Sequence, residues 1–398
     1  MSMMGRSPSA TPENPTPPAS PTPPSPTAAP APPIAYVPHG QDLAGIAVAL
    51  SANGKTLAVL MEGNSVRQYL FDPFLGDWSA WIGVTPDRPL ESMRMTADAR
   101  LFALGLSSNS LDVYPVLAIY TVETGVQLGS DIGGLAAVGS NIHYRVRHAQ
   151  ISDNGRVVVI PTGSSTAVFS FDDATADWVM RDATLGGYVE SSDDSGDFLD
   201  LVGNLVSVSS DGSKVVTYDI VGTSIQVWSY EWNGSSYVER TEAITFSDGA
   251  FFSGAVFLSG DGDSLAVNGW FIVGDGILGI LRYITRIYRY QNEGWVQQGR
   301  DLLAAGDPLG TSEQSDRACF SSDGNAFGIL ADSTNGPYII YSWNGNAWAM
   351  SEIVSSGEKI FGERCSFSQD GRILALFAQN GPADDPLRVR VHRAKEVN

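Results

Sequence analysis

The chain is predicted to fold as an all-β protein, a seven-bladed β-propeller of four-stranded antiparallel blades. Three observations carry this. First, one phrase returns seven times: an apolar strand, a Ser-x-Asp-Gly turn and a second apolar strand. Its cores are Ser51-Ala52-Asn53-Gly54, Thr96-Ala97-Asp98-Ala99, Ser152-Asp153-Asn154-Gly155, Ser209-Ser210-Asp211-Gly212, Ser259-Gly260-Asp261-Gly262, Ser321-Ser322-Asp323-Gly324 and Ser368-Gln369-Asp370-Gly371. Second, their starts lie 45, 56, 57, 50, 62 and 47 residues apart, the length of four short strands and their loops. Third, the last repeat holds three strands, and a segment able to act as its fourth stands at the other end of the chain.

Residues 1–33 precede the repeats and differ from them in kind. They hold 12 of the 22 prolines among Ser, Thr and Ala, with Arg6 and Glu13 as their only charges. Proline removes the amide donors that a strand ladder needs, so this stretch is expected to be an extended, disordered linker. The propeller itself is expected over residues 34–398.

Next comes the closing strand. Tyr36-Val37-Pro38-His39-Gly40-Gln41-Asp42-Leu43 follows the pattern aromatic-Val-x-x-Gly-x-Asp-Leu, as does Trp295-Val296-Gln297-Gln298-Gly299-Arg300-Asp301-Leu302. In the fifth repeat that pattern occupies the outer strand, so residues 35–43 should lie beside the last strand of the chain, near 387–392, and close the ring. Pro38 suits an outermost edge, where a missing donor costs little.

Blade 6 shows how each repeat is built. Ala318-Cys319-Phe320 is the inner strand, Ala326-Phe327-Gly328-Ile329-Leu330 the second and Tyr338-Ile339-Ile340-Tyr341-Ser342-Trp343 the third; Asn344-Gly345 then turns the chain toward Trp348. Asp-Gly and Asn-Gly suit tight hairpins because glycine accepts positive φ. The third-to-fourth hairpin recurs with aromatics two apart, as in Tyr230-Glu231-Trp232, Tyr288-Arg289-Tyr290, Phe169-Ser170-Phe171 and Tyr69-Leu70-Phe71. Such aromatics can serve as a carbohydrate platform, but their repetition marks them as packing between blades.

The phrase Leu-Ser-x-Asp-Gly with its Tyr-x-Trp-Asn-Gly hairpins resembles the WD40-like and FG-GAP-like propeller repeats of surface proteins in microalgae and marine microbes. The resemblance spans about residues 34–393. It implies a recognition module and, with the Pro-rich tether, an extracellular or cell-surface setting. The Asp-x-Asp-x-Asp-Gly loop of calcium-binding FG-GAP blades is missing from the sequence, as is the Trp-Asp dipeptide of WD40 repeats. No metal ligand set carries over, and no cofactor is expected.

Composition narrows the function. A formal net charge of −20 with 24 Lys+Arg argues against nucleic acid as a partner. No run approaches the roughly 18 apolar residues of a membrane span, so membrane insertion is not expected, and no secretory signal is apparent. Ala49 to Thr56 loosely fits a phosphate-loop pattern, but the same positions recur as strand–turn–strand in the other blades. The acidic group Glu190, Asp193, Asp194, Asp197 and Asp200 reads as a solvated loop, with calcium as the alternative. Cys319 and Cys365 sit at opposite parity on neighbouring inner strands, either facing across the blade interface or pointing apart; buried free thiols are the default expectation.

The polar candidates lie on inner strands. Four residues before each turn stand Ala47, Ser92, His148, Leu205, Ala255, Arg317 and Arg364. Period-two alternation puts them opposite the apolar positions, toward the channel entrance, with Arg94 on the same strand face. Arg317, Arg364, His148 and Arg94 could receive a carboxylate, sulfate or phosphate; the plainer reading is that the arginines pair with neighbouring Asp or Glu and tie blades together. Inserted length falls between second and third strands (105–116, 268–283) or between blades (129–147, 182–203, 240–254, 300–316), all on one face. Blade 5 carries the longest hairpin, and Trp270, Phe271, Ile277 and Leu278 make its tip a candidate partner contact. Elaborated loops on a rigid scaffold commonly carry binding sites. The expected function is non-enzymatic recognition of a protein or glycan through that face. The alternatives are a propeller hydrolase or lyase acting at the channel mouth, and a structural or adhesive unit of a larger assembly.

Overall fold

The structure, a computed structural model, describes residues 34–107, 116–133, 148–162, 165–186, 206–221, 224–246, 249–273, 280–303, 318–330, 338–353, 365–378 and 388–396. These form seven antiparallel sheets in chain order, the expected propeller, and no helix occurs among them. In blade 1, strands Ala47–Leu50, Thr56–Met61, Ser65–Asp72 and Asp77–Val84 pair in sequence from the axis outward. Both faces of a blade are buried, so inner and second strands such as Ala47–Leu50 and Val157–Pro161 are apolar throughout rather than alternating.

Each Ser-x-Asp-Gly turn is one hydrogen-bonded unit. In blade 4 the Ser209 hydroxyl donates to Asp211 Oδ1 (2.7 Å) and accepts the Lys214 amide (2.9 Å), while Asp211 Oδ1 accepts the Ser213 amide (2.8 Å). The fourth residue is left-handed in every blade, with φ between 60° and 76°. In blade 2 that residue is Ala99 (φ 60°), a conformation that costs a side-chain-bearing residue about 1–2 kcal/mol. Glycine there forfeits part of that gain through its freer unfolded state. Ala99→Gly is therefore expected to stabilise the fold by about 0.5–1 kcal/mol, and a lower denaturant midpoint would contradict this.

The turns also bond to one another. Backbone amides of Ala52, Ala97, Asn154, Ser210, Gly260, Asp323 and Gln369 donate to the carbonyls of Ala97, Asp153, Ser210, Gly260, Ser322, Gln369 and Ala52, at 2.6–3.3 Å. The result is a continuous belt through all seven turns. It holds the inner strands at one end of the axis without using side chains.

The ring closes as the repeat pattern predicts. Ile34–Pro38 pairs with Arg388–Glu396, placing Tyr36 opposite Ala394 and Pro38 opposite His392, and Leu43–Ala44 pairs further along the same strand. Between them residues 40–42 interrupt the ladder as a bulge. Asp42 then takes both Nε and Nη2 of Arg390 (2.9 and 2.7 Å). Blade 5 repeats the device, with Gly294–Gln297 and Leu302–Leu303 on one strand and Asp301 bonded to Arg286. The bulge also supplies acceptors for the hairpin tryptophans. Trp78, Trp178 and Trp348 donate their indole N–H to the carbonyls of His39, Leu128 and Gln298 at 2.9, 2.9 and 3.2 Å. These aromatics are inter-blade packing, as their repetition indicated.

His392 lies under the closing strand, buried, with its Nδ1 lacking a partner among the described residues. Burial, helped by the Arg390 charge and opposed by Asp42, pushes its pKa down from 6.5 to about 4. The unfolded chain therefore binds more protons than the folded one between those values. The stability belonging to this group is complete above pH 6.5 and is lost as pH falls toward 4, on the order of 3 kcal/mol in total. His39, lowered by burial and by Arg393, acts in the same direction. Denaturant melts between pH 5 and 7 should show the decline, and His392→Gln should flatten it. An unchanged slope in that variant would contradict the assignment.

Candidate functional site

Inner strands of all seven blades line a central cavity of about 250 Å³. Residues two before each turn face it: Ala49, Arg94, Gln150, Ser207, Phe257, Cys319 and Ser366. The two longest polar side chains, Arg94 and Gln150, come from the neighbouring blades 2 and 3. Arg94 Nε donates to Gln150 Oε1 (3.3 Å) and its Nη1 to the Met93 carbonyl (3.0 Å), while His148, buried, lies alongside. Ser207 and Ser366 accept the amides of Leu258 and Leu50 from the next blade, at 3.0 and 2.9 Å. Guanidinium, amide and imidazole on one wall can receive an anionic or strongly polar group.

The cavity is stoppered at the turn end. Ser210 Oγ bonds Asp153 Oδ2 and lies 3.3 Å from Ser322 Oγ, which reaches the same carboxylate oxygen at 3.4 Å. These side chains come from blades 3, 4 and 6, so they meet across the axis. Gly260 is small where it must be: a Cβ there would sit 2.0 Å from Ser322 Oγ and 2.4 Å from Ser210 Oγ. Connections between second and third strands, and from blade to blade, join the opposite strand ends.

Of the predicted site residues, Arg94 and His148 line the cavity together. Arg317 and Arg364 lie outside the described residues, as do Ile277, Leu278 and the acidic group at 190–200. The equivalents Ala47 and Ala255 are buried in the packing between blades and do not line the cavity. Gln150 was missed by looking four residues before the turn; the position two before shares that strand face and sits nearer the stopper. Trp270 lies within Ser264–Val273. Phe271, expected at an exposed tip, is instead fully buried, edge-to-face with Phe246 (5.5 Å between centroids) and capped by the Arg286 guanidinium at 4.4 Å. It extends the blade 4–5 core, because the second strand of blade 5 runs ten residues and Phe271 shares the parity of the core residues Leu265 and Val267.

The expectation of free thiols is also corrected. Cys319 and Cys365 form a disulfide between the inner strands of blades 6 and 7, with Cα atoms 5.7 Å apart. Opposite parity brings them face to face across the interface. The fully buried Tyr338 hydroxyl contacts both sulfurs, and burial holds its pKa well above the phenolic range.

A scan of protein-family models finds no match to this chain, and no curated protein matches it by sequence. Solved structures do. Hydrazine synthase from Kuenenia stuttgartiensis superposes with a TM-score of 0.56 at 13% identity, covering 90% of this chain and 98% of that one. The Cps50 (Swd1) β-propeller domain of Myceliophteria thermophila superposes at 0.52 and 10% identity, covering 91% and 98%. At such identities the likeness is one of fold, a β-propeller.

Proposed function

We propose that this propeller is a recognition module that takes a protein or glycan on its long-loop face, with an anionic group of the partner entering the cavity beside Arg94, Gln150 and His148. The observation that supports this reading is the stopper. Asp153, Ser210 and Ser322 meet across the axis at the turn end, and on this reading a ligand enters the cavity shared by all seven blades from the other end, where the long connections join the strands. The same reading places Arg317 and Arg364 at that entrance and sets the protein among the surface propellers its turn phrase resembles. The likeness to an enzyme on the one hand and a propeller domain on the other brings no functional residue with it.

The test is an oligosaccharide array holding neutral, carboxylated and sulfated members, paired with a displayed peptide library, probed with the full chain. Acidic members should bind. Removing one charge-assisted contact costs on the order of 1.5–3 kcal/mol, so Arg94→Ala should weaken binding roughly tenfold to a hundredfold. Arg317→Ala with Arg364→Ala should weaken it by about a hundredfold or more at an unchanged melting temperature. Normal binding by both variants, or no binding across either library, would overturn the proposal.

A further inference from the structure

We infer that Asn233 is a site of N-linked glycosylation, on the end of the ring opposite the long-loop face. Asn233-Gly234-Ser235 is the chain's only Asn-x-Ser/Thr tripeptide without proline in the middle, since Asn14-Pro15-Thr16 is excluded by Pro15. It forms the tip of the hairpin joining Ser224–Trp232 to Tyr237–Glu239 in blade 4, and all three residues are exposed. A Cβ at Gly234 would meet nothing within 4 Å, so the tip stands in open space. Third-to-fourth hairpins share their end of the blade with the Ser-x-Asp-Gly turns, so a glycan here leaves the cavity entrance clear.

Blade 6 supplies an internal control. Asn344-Gly345-Asn346-Ala347 makes the same turn. Asn344 Oδ1 accepts the amides of Asn346 and Ala347 at 3.0 and 2.9 Å, and Gly345 has φ 92°. In blade 4, Asn233 Oδ1 accepts the amides of Ser235 and Ser236 at 2.9 and 3.0 Å, and Gly234 has φ 102°. The turn therefore needs Asn-Gly and has no need of serine. What blade 4 adds is the Ser235 hydroxyl, which donates to Asn233 Oδ1 at 2.9 Å. That pairs hydroxyl and carboxamide oxygen and leaves Nδ2 with one long contact, to Ser236 Oγ at 3.5 Å.

An independent feature points to the same compartment. The chain's two cysteines are joined in the Cys319–Cys365 disulfide, and disulfides form and persist where thiols are oxidised, which includes the compartment in which sequons are modified. The transfer itself is a substitution at the anomeric carbon of a polyprenyl-diphosphate-linked oligosaccharide. A bond forms from Asn233 Nδ2 to C1, the C1–O bond breaks, the lipid diphosphate leaves with the electron pair, and the amide nitrogen gives up one proton.

The test is peptide mapping of the protein isolated from its own cells, with and without peptide N-glycosidase. The Asn233 peptide should carry an oligosaccharide whose removal converts that residue to Asp, while the Asn344 peptide is unmodified. Expressed in the same cells, Asn233→Gln and Ser235→Ala should lose the glycan and Ser235→Thr should keep it. Asn346→Ser should gain a second glycan at Asn344. Recovery of Asn233 as an unmodified amide, or of Cys319 and Cys365 as free thiols in the native protein, would overturn the inference.

Discussion

Deleting residues 1–43 should cost most or all of the stability of the fold, whereas deleting residues 1–33 should leave the melting temperature unchanged. The two truncations differ by ten residues that do several jobs at once. Ile34–Pro38 covers the free edge of Arg388–Glu396. Tyr36 donates its hydroxyl to the Gly371 carbonyl at 2.6 Å, tying the outer strand to the blade 7 turn. His39 gives its carbonyl to Trp78 of blade 1, and Leu43 is buried with Val48, Val59 and Trp78. Burying a leucine is worth about 1.5–3 kcal/mol, and leaving the half-buried Arg390 without Asp42 adds about 1–3 more. With the lost strand pairing, the sum reaches the roughly 5–15 kcal/mol by which such domains are stable at all. Thermal melts of the two truncated chains decide it, and equal midpoints would contradict closure by the N-terminal strand.

The second large effect is expected from one methyl group. Gly371 has φ 67°, and a Cβ there would lie 2.5 Å from Ala326 Cβ in blade 6 and 3.4 Å from Ser321 Cβ. Ala326 has no rotamer to change, so relief requires backbone to move. A left-handed side chain costs about 1–2 kcal/mol and overpacking a tight contact about 1–3. Gly371→Ala should therefore destabilise the protein by about 2–5 kcal/mol, with a larger effect than the same change at Gly63, where a Cβ meets nothing within 4 Å. Equal losses at both positions would mean that the left-handed backbone alone sets the cost. The contact recurs around the ring: Gly155 meets Leu101, Gly212 meets Val157 and Gly54 meets Ile373, each on the preceding blade. The turn glycines therefore set the spacing between blades as well as reversing the chain.

The architecture was legible because repetition multiplies weak local signals. One Asn-Gly or Ser-x-Asp-Gly is ambiguous, but seven at blade spacing leave few alternatives, and the matched patterns at residues 36–43 and 295–302 located the closing strand. Less of what is decided between blades could be read, beyond the aromatic packing that repetition marks. The belt of turn-to-turn amide bonds uses backbone alone and leaves no residue signature. The pairing of Cys319 with Cys365 depends on which way two inner strands face each other, and parity permitted both answers. Phe271 looked like a tip because the hairpin is long; the register of Ser264–Val273 on Ile280–Gln291 carries the core out to it. The −4 positions are uneven guides to the cavity: His148 lines it, whereas Ala47 and Ala255 do not, and Gln150, two before its turn like Arg94, carries no mark of its own in the sequence.

The claim that the long-loop end is the binding end is tested most directly by hydrogen–deuterium exchange of the full chain with the tightest oligosaccharide or peptide from the binding screen. Protection is expected in the connections 134–147, 187–205, 304–317 and 354–364 and at the inner-strand segment around Arg94 and His148, with the Ser-x-Asp-Gly turns and the Asn233 hairpin unchanged. Protection confined to those turns, with the long connections exchanging as they do in the free protein, would contradict it.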